Sequence, residues 1–109
     1  ELLPARGVYA VLVDVLEGDR FRALGLGVTN IGIRPTLGQG ELRVEVHVLD
    51  LERDLYGATL RAHVAVRLRD EQRFPDIGAL KAQLARDVAD ARAALRDRQP
   101  DPAAGGAWH

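Results

Sequence analysis

From Val8 to Leu16 nearly every residue is apolar and valine predominates, the pattern of a strand buried on both faces. Glu17-Gly18-Asp19-Arg20 follows as a tight-turn signal, and Phe21 to Thr29 reads as the return strand of a hairpin. Glycines and Pro35 mark Gly32 to Gly40 as a loop. Leu42 to Asp50 alternates, with Val44, Val46 and Val48 on one face and Arg43, Glu45, His47 and Leu49 on the other. Leu51 to Ala58 is a connection holding Asp54, Tyr56 and Gly57. Thr59 to Leu68 alternates again, placing Leu60, Ala62, Val64, Val66 and Leu68 opposite Arg61, His63 and Arg67. The period then changes: Ile77, Leu80, Leu84, Val88, Ala91 and Leu95 recur at helical spacing, with Asp76 as the natural N-cap after Pro75.

Strands followed by one amphipathic helix predict a mainly β domain over residues 1–98, an antiparallel sheet or barrel with a C-terminal α-helix laid over it. The Pro-, Gly- and Ala-rich segment 99–109 reads as a flexible tail. Such a short run of strands leaves two open sheet edges, so barrel closure would need strands upstream of Glu1. The chain has no methionine, and the expectation is an N-terminally truncated piece of a longer protein.

Composition narrows the function classes. The 109 residues hold 15 basic against 16 acidic side chains, and a net charge of -1 argues against binding duplex DNA or an anionic membrane through bulk electrostatics. Single-strand nucleic-acid binding needs aromatic platforms in a basic groove, and two Phe, two Tyr and one Trp in a near-neutral chain fit it poorly. No apolar run is long enough to span a membrane and no leader pattern opens the chain. Zero cysteines exclude a disulfide frame and thiolate chemistry and fit a cytoplasmic protein. Serine is absent as well, which excludes a serine triad. The only lysine, Lys81, sits in the helical segment, so there is no P-loop.

Three features could carry chemistry. Glu45 and His47 share a strand face two residues apart, as on any solvated outer face or as a general base on a rigid mount; the pair is too small a ligand set for zinc. Arg69-Asp70-Glu71-Gln72-Arg73-Phe74-Pro75 is either a polar loop with Phe74 stapling the helix start, or a lip for a planar ligand. Gly32 to Gly40 is a plain connector or a flap.

Taken in order, the blocks resemble bacterial riboflavin kinase. They are Leu3-Pro4-Ala5-Arg6-Gly7-Val8-Tyr9-Ala10-Val11, Gly27-Val28-Thr29-Asn30-Ile31-Gly32-Ile33-Arg34-Pro35-Thr36, Val44-Glu45-Val46-His47-Val48-Leu49-Asp50, Asp54-Leu55-Tyr56-Gly57 and Leu68-Arg69-Asp70-Glu71-Gln72-Arg73-Phe74, followed by the helix from Leu80. The resemblance runs from about Leu3 to Arg96, and several ordered blocks make it specific where any one alone is weak. It implies a six-stranded Greek-key barrel, incomplete here, that phosphorylates the ribityl 5′-hydroxyl of riboflavin with ATP and Mg²⁺ to give FMN. In bacteria that module is usually the C-terminal half of a bifunctional FAD synthetase, which implies an N-terminal adenylyltransferase domain as partner. The resemblance assigns Glu45 as catalytic base, Val48, Asp50 and Tyr56 to the adenine side of the ATP site, and Arg69, Gln72 and Phe74 to the flavin side. The family's Pro-Thr-Ala-Asn segment, which holds Mg²⁺ and the phosphates, belongs upstream of Glu1, so no metal ligand is expected among these residues; Pro35-Thr36 is a different block. The alternative is a flavin-binding barrel that performs no chemistry.

Overall fold

The computed structural model describes residues 5–36, 39–99 and 107–108. Strands β1 (Gly7–Glu17), β2 (Arg20–Thr36), β3 (Gln39–Val48) and β4 (Leu60–Arg69) precede helix α1 (Ile77–Leu95). All neighbours are antiparallel, in the order β3-β2-β1-β4, so the apolar run Val8–Val15 is a central strand. Its even positions Val8, Ala10 and Leu12 pack with Val28, Leu49, Ala91, Leu95 and Trp108 on the helix side, while Tyr9, Val11 and Val13 join Ile31 on the far side. A mainly β fold with one C-terminal helix is what the periodicity predicts, and the sheet is open.

Gly18, at φ 66, makes the tight β1–β2 turn, whose flanking residues Glu17 and Arg20 pair. The segment Gly32–Gly40 is less of a loop than its glycines suggest. There β2 continues to Thr36 and pairs with β3 through Ile33↔Leu42 and Pro35↔Gly40, with residues 37–38 outside the described ones. Past Ile31, β2 has lost its β1 neighbour, so Pro35 sits on a strand with a partner on one side only, where a missing N–H is tolerated.

Strict alternation also fails along β4. Register shifts at Val8/Tyr9 and Ala10/Val11 each take one residue out of step. Ala65 and Leu68 both pack toward the helix-side core, and Arg67 lies over the Tyr9 ring, 5.9 Å from its centroid, on the opposite face from His63. Helix α1 starts as the sequence predicts, with Asp76 accepting the Ala79 N–H at 2.8 Å.

Two residues of the expected flexible tail are not free. Ala107 and Trp108 are buried; the Trp108 backbone N–H donates to Asp14 Oδ1 at 2.9 Å and its indole N–H to the Val13 carbonyl at 3.0 Å. Asp14 is 0% exposed, and its other oxygen receives Arg61 Nη2 at 2.9 Å and His63 Nε2 at 2.7 Å. Burial pushes this carboxyl pKa up, but the bonds from Trp108, His63 and Arg61 outweigh it and hold it below the ordinary 3.8. Among the described residues no helix is long and apolar enough to cross a membrane.

Candidate functional site

The apolar stripe of α1 does two jobs. Ala91 and Leu95 seal the core, whereas Leu80 and Leu84 stay well exposed because the N-terminal half of the helix stands away from the sheet. Between them opens a cavity of about 650 Å³, within the range of small-molecule sites. Val8, Val28, Leu80, Leu84 and Val88 supply apolar walls, and Asn30, Glu45, His47, Gln72 and Arg69 supply polar groups. Phe74 completes the rim.

The alternation of β3 puts Glu45 and His47 into this cavity, with Val48 packed against the far-side cluster. Thr29 Oγ1–H donates to the Glu45 carbonyl at 2.8 Å, which pins the strand beneath the carboxylate. The side chain itself is 63% exposed, with Arg43 Nε 3.2 Å from Oε1. A carboxylate on a rigid strand, open to a cavity, is geometrically able to accept a proton from a bound hydroxyl.

Arg69 ends β4 at the start of the lip. Its Nε and Nη2 each donate to one oxygen of Asp87 at 2.8 Å, and Nη1 donates to the Asp70 carbonyl at 3.0 Å. The guanidinium carbon lies 5.8 Å from the Phe74 ring centroid. Asp87 is 1% exposed; burial raises its carboxyl pKa, yet the Arg69 and Gln83 hydrogen bonds prevail and hold it below 3.8. Glu71 rests against Gly32 of β2, in space that any Cβ there would occupy.

Glu45, Arg69, Gln72 and Phe74 therefore meet at one cavity. Val48, Asp50 and Tyr56 do not line it. Asp50, at φ 58 just after β3, is clasped by Arg92 of α1 at 2.7 and 2.8 Å, and those hydrogen bonds lower its carboxyl pKa. Tyr56 is 98% exposed, in a turn where its N–H donates to Asp54 Oδ1 at 2.8 Å. The family resemblance implies that the start of the helix lines the flavin side, but it singles out neither Leu80 and Leu84 there nor Val28 on β2, which form the apolar walls. The available signal was a helix stripe longer than a small core needs.

The cavity's carboxylates do not fit a magnesium ion. Both oxygens of Asp87 are taken by Arg69, and Glu45 stands beside Arg43. Among the described residues no three acidic or histidine side chains gather into a metal-binding group.

The chain is 46% identical over 92 residues to the bifunctional riboflavin kinase/FMN adenylyltransferase of Pseudomonas fluorescens, covering 84% of this chain and 28% of that protein. Against the protein of the same name from Escherichia coli (strain K12) it is 42% identical over 98 residues, with the same 84% and 28% coverage. The RNA-binding riboflavin kinase of Bacillus subtilis (strain 168) is 36% identical over 84 residues, 76% of this chain and 34% of that one. A solved structure described as a macrolide-efflux protein from Streptococcus pneumoniae superposes with a TM-score of 0.70 at 30% identity, over 84% of this chain and 28% of that one. The chain thus spans little more than a quarter of the bifunctional relatives. The family described as Flavokinase, riboflavin kinase, matches residues 1–95, nearly the whole described fold, and this chain belongs to it.

Proposed function

We propose that this chain is the flavin-binding and base-bearing part of a riboflavin kinase, acting within a longer bifunctional protein. The observation that supports this reading most is that one cavity gathers Glu45 with Arg69, Gln72 and Phe74, which lie 24 to 29 positions further along the chain. The isoalloxazine ring would lie between the apolar wall of α1 and the lip, with Phe74 against its edge and Gln72 offering an amide to its heteroatoms. Glu45 would take the ribityl 5′-hydroxyl proton as that oxygen attacks the γ-phosphorus of ATP and ADP departs. Val48, Asp50 and Tyr56 remain the residues proposed for the adenine side, separate from the flavin cavity. An adenylyltransferase domain as partner and a cytoplasmic location belong to the same reading. A flavin-binding barrel without chemistry is not favoured, because the curated relatives carry the kinase name.

Phosphoryl transfer draws most of its rate from positioning and neutralisation of the phosphates, which a base alone does not supply. With the metal and phosphate clamp proposed upstream of Glu1, the 109-residue chain should bind riboflavin but form no measurable FMN with Mg²⁺-ATP. The longer protein should form FMN. Turnover by the short chain at a rate near that of the longer one would place the clamp within these residues, and failure of both to bind riboflavin would refute the reading. The far face of the sheet leaves Val44, Val46 and Val64 between 38% and 50% exposed, so the short chain should also self-associate at high concentration. Light scattering after size-exclusion chromatography checks this, and a strictly monomeric species at high concentration would contradict it.

Phe74 separates two roles. As a ring contact, Phe74→Ala should weaken riboflavin binding by about 1–3 kcal/mol and spare ATP affinity. As a helix staple it should instead lower the melting temperature. A riboflavin titration beside a thermal melt distinguishes them, and an unchanged riboflavin Kd favours the staple.

A further inference from the structure

The geometry points to Asp87 as a positioning residue for flavin binding: through Arg69 it fixes the Asp70–Phe74 lip to helix α1. This rests on the kinase reading above and goes further, because it gives Asp87, outside the residues assigned to the site, a part in shaping the lip.

Three of the five N–H groups of the Arg69 guanidinium, one on each nitrogen, already have acceptors. Nε and Nη2 form a two-point clasp on the Asp87 carboxylate, and Nη1 holds the lip backbone at the Asp70 carbonyl. The clasp is planar and bidentate, the strongest form of charge-assisted pair, and it determines where the guanidinium plane faces. That plane lies over Phe74. Asp87 is buried on the helix, and Gln83 Nε2 adds a further bond to its Oδ1 at 3.0 Å. Gln83 is held in turn by Arg86 Nη2 at 2.9 Å. The lip carries no regular secondary structure of its own, so its position depends on such anchors. Arg69 itself ends β4, so its pair with Asp87 ties the sheet to the helix, and its third nitrogen holds the first carbonyl of the lip, one residue on.

A purely structural ion pair can be replaced by packed apolar groups without loss of stability. That provides the test. Riboflavin affinity, thermal unfolding and hydrogen exchange of the amides of residues 70–74 are measured for the wild-type protein, Asp87→Asn, and the double variant Arg69→Met/Asp87→Leu. Asp87→Asn places an amide N–H against an Arg69 donor and should weaken riboflavin about tenfold, the size expected on losing a charged hydrogen-bond pair. The double variant should melt cooperatively, since it fills the same space, yet bind riboflavin as weakly and exchange its lip amides faster. Faster lip exchange in that variant marks the positioning role even where the single variant fails to fold, whereas weaker binding with unchanged lip exchange would overturn it as the loss of a direct Arg69 contact. A double variant that binds riboflavin within twofold of wild type would overturn the positioning role and leave the pair as packing. Absence of riboflavin binding by the wild-type protein would instead overturn the kinase reading, and this inference with it.

Discussion

Glu45→Gln in the complete parent protein should lower kcat for FMN formation by about 100-fold or more while leaving KM for riboflavin little changed. The carboxamide keeps the size and hydrogen-bonding reach of the carboxylate but cannot accept the hydroxyl proton. The mount should not move, because it is held from the backbone: Glu45 pairs with Asn30 across the β2–β3 ladder, and Thr29 Oγ1 binds its carbonyl. The side chain is mostly exposed and bonded to nothing buried, so the substitution should leave stability nearly untouched. Steady-state kinetics under conditions where chemistry limits the rate provide the measurement. A variant retaining more than a third of wild-type kcat would remove Glu45 from the role of base.

Asp14→Ala should cost about 3 kcal/mol of folding stability, near the low end for stripping one partner from a buried ion pair, since Arg61 and His63 reach partly into solvent. For a domain of this size that is a fall in melting temperature of about 13 °C. The loss should be large because several elements converge on one carboxylate: Arg61 and His63 from β4, and the Trp108 N–H from the C-terminal segment. Removing it leaves the Trp108 N–H buried without an acceptor. The sign with pH follows from the lowered pKa values of Asp14 and Asp87. A carboxyl whose folded pKa lies below its unfolded value stabilises the fold above the unfolded pKa and loses that contribution as pH falls through the folded one. Stability should therefore hold from neutral pH down to about 4 and decline below it. In the Asp14→Ala variant that acid decline should be shallower. Denaturant titrations at neutral and acid pH measure both effects, and a variant within about 1 kcal/mol of wild type at neutral pH would contradict the account.

Much of this protein is local and was legible in the chain. The valine-rich run Val8–Val15 is a central strand because only a strand with neighbours on both edges and cover on both faces hides so many branched side chains. Asp76 caps the helix through a bond three residues long in sequence. Alternation with a period of two put Glu45 and His47 on the face opposite Val48, and the ordered blocks were enough to bring out the family.

What the chain alone left open depends on partners distant in sequence. Whether Gly32–Thr36 is loop or strand was decided by β3 lying beside it, since pairing outweighs the local signals of glycine and proline. The register shifts of β4, which turn Arg67 away from His63, arise from fitting β4 against β1 and leave no mark on its alternation. The sequence reading passed over Asp14 inside its apolar run, and only the fold supplies Arg61, His63 and Trp108 across 47 to 94 residues. The helix stripe from Ile77 to Leu95 showed one apolar face. That Ala91 and Leu95 press on the sheet while Leu80 and Leu84 wall a cavity follows from the helix meeting the sheet at one end and standing off at the other. Arg69 shows the same division: the family resemblance assigned it to the flavin side, while the buried carboxylate of Asp87 that clasps it, 18 residues on, came only with the fold.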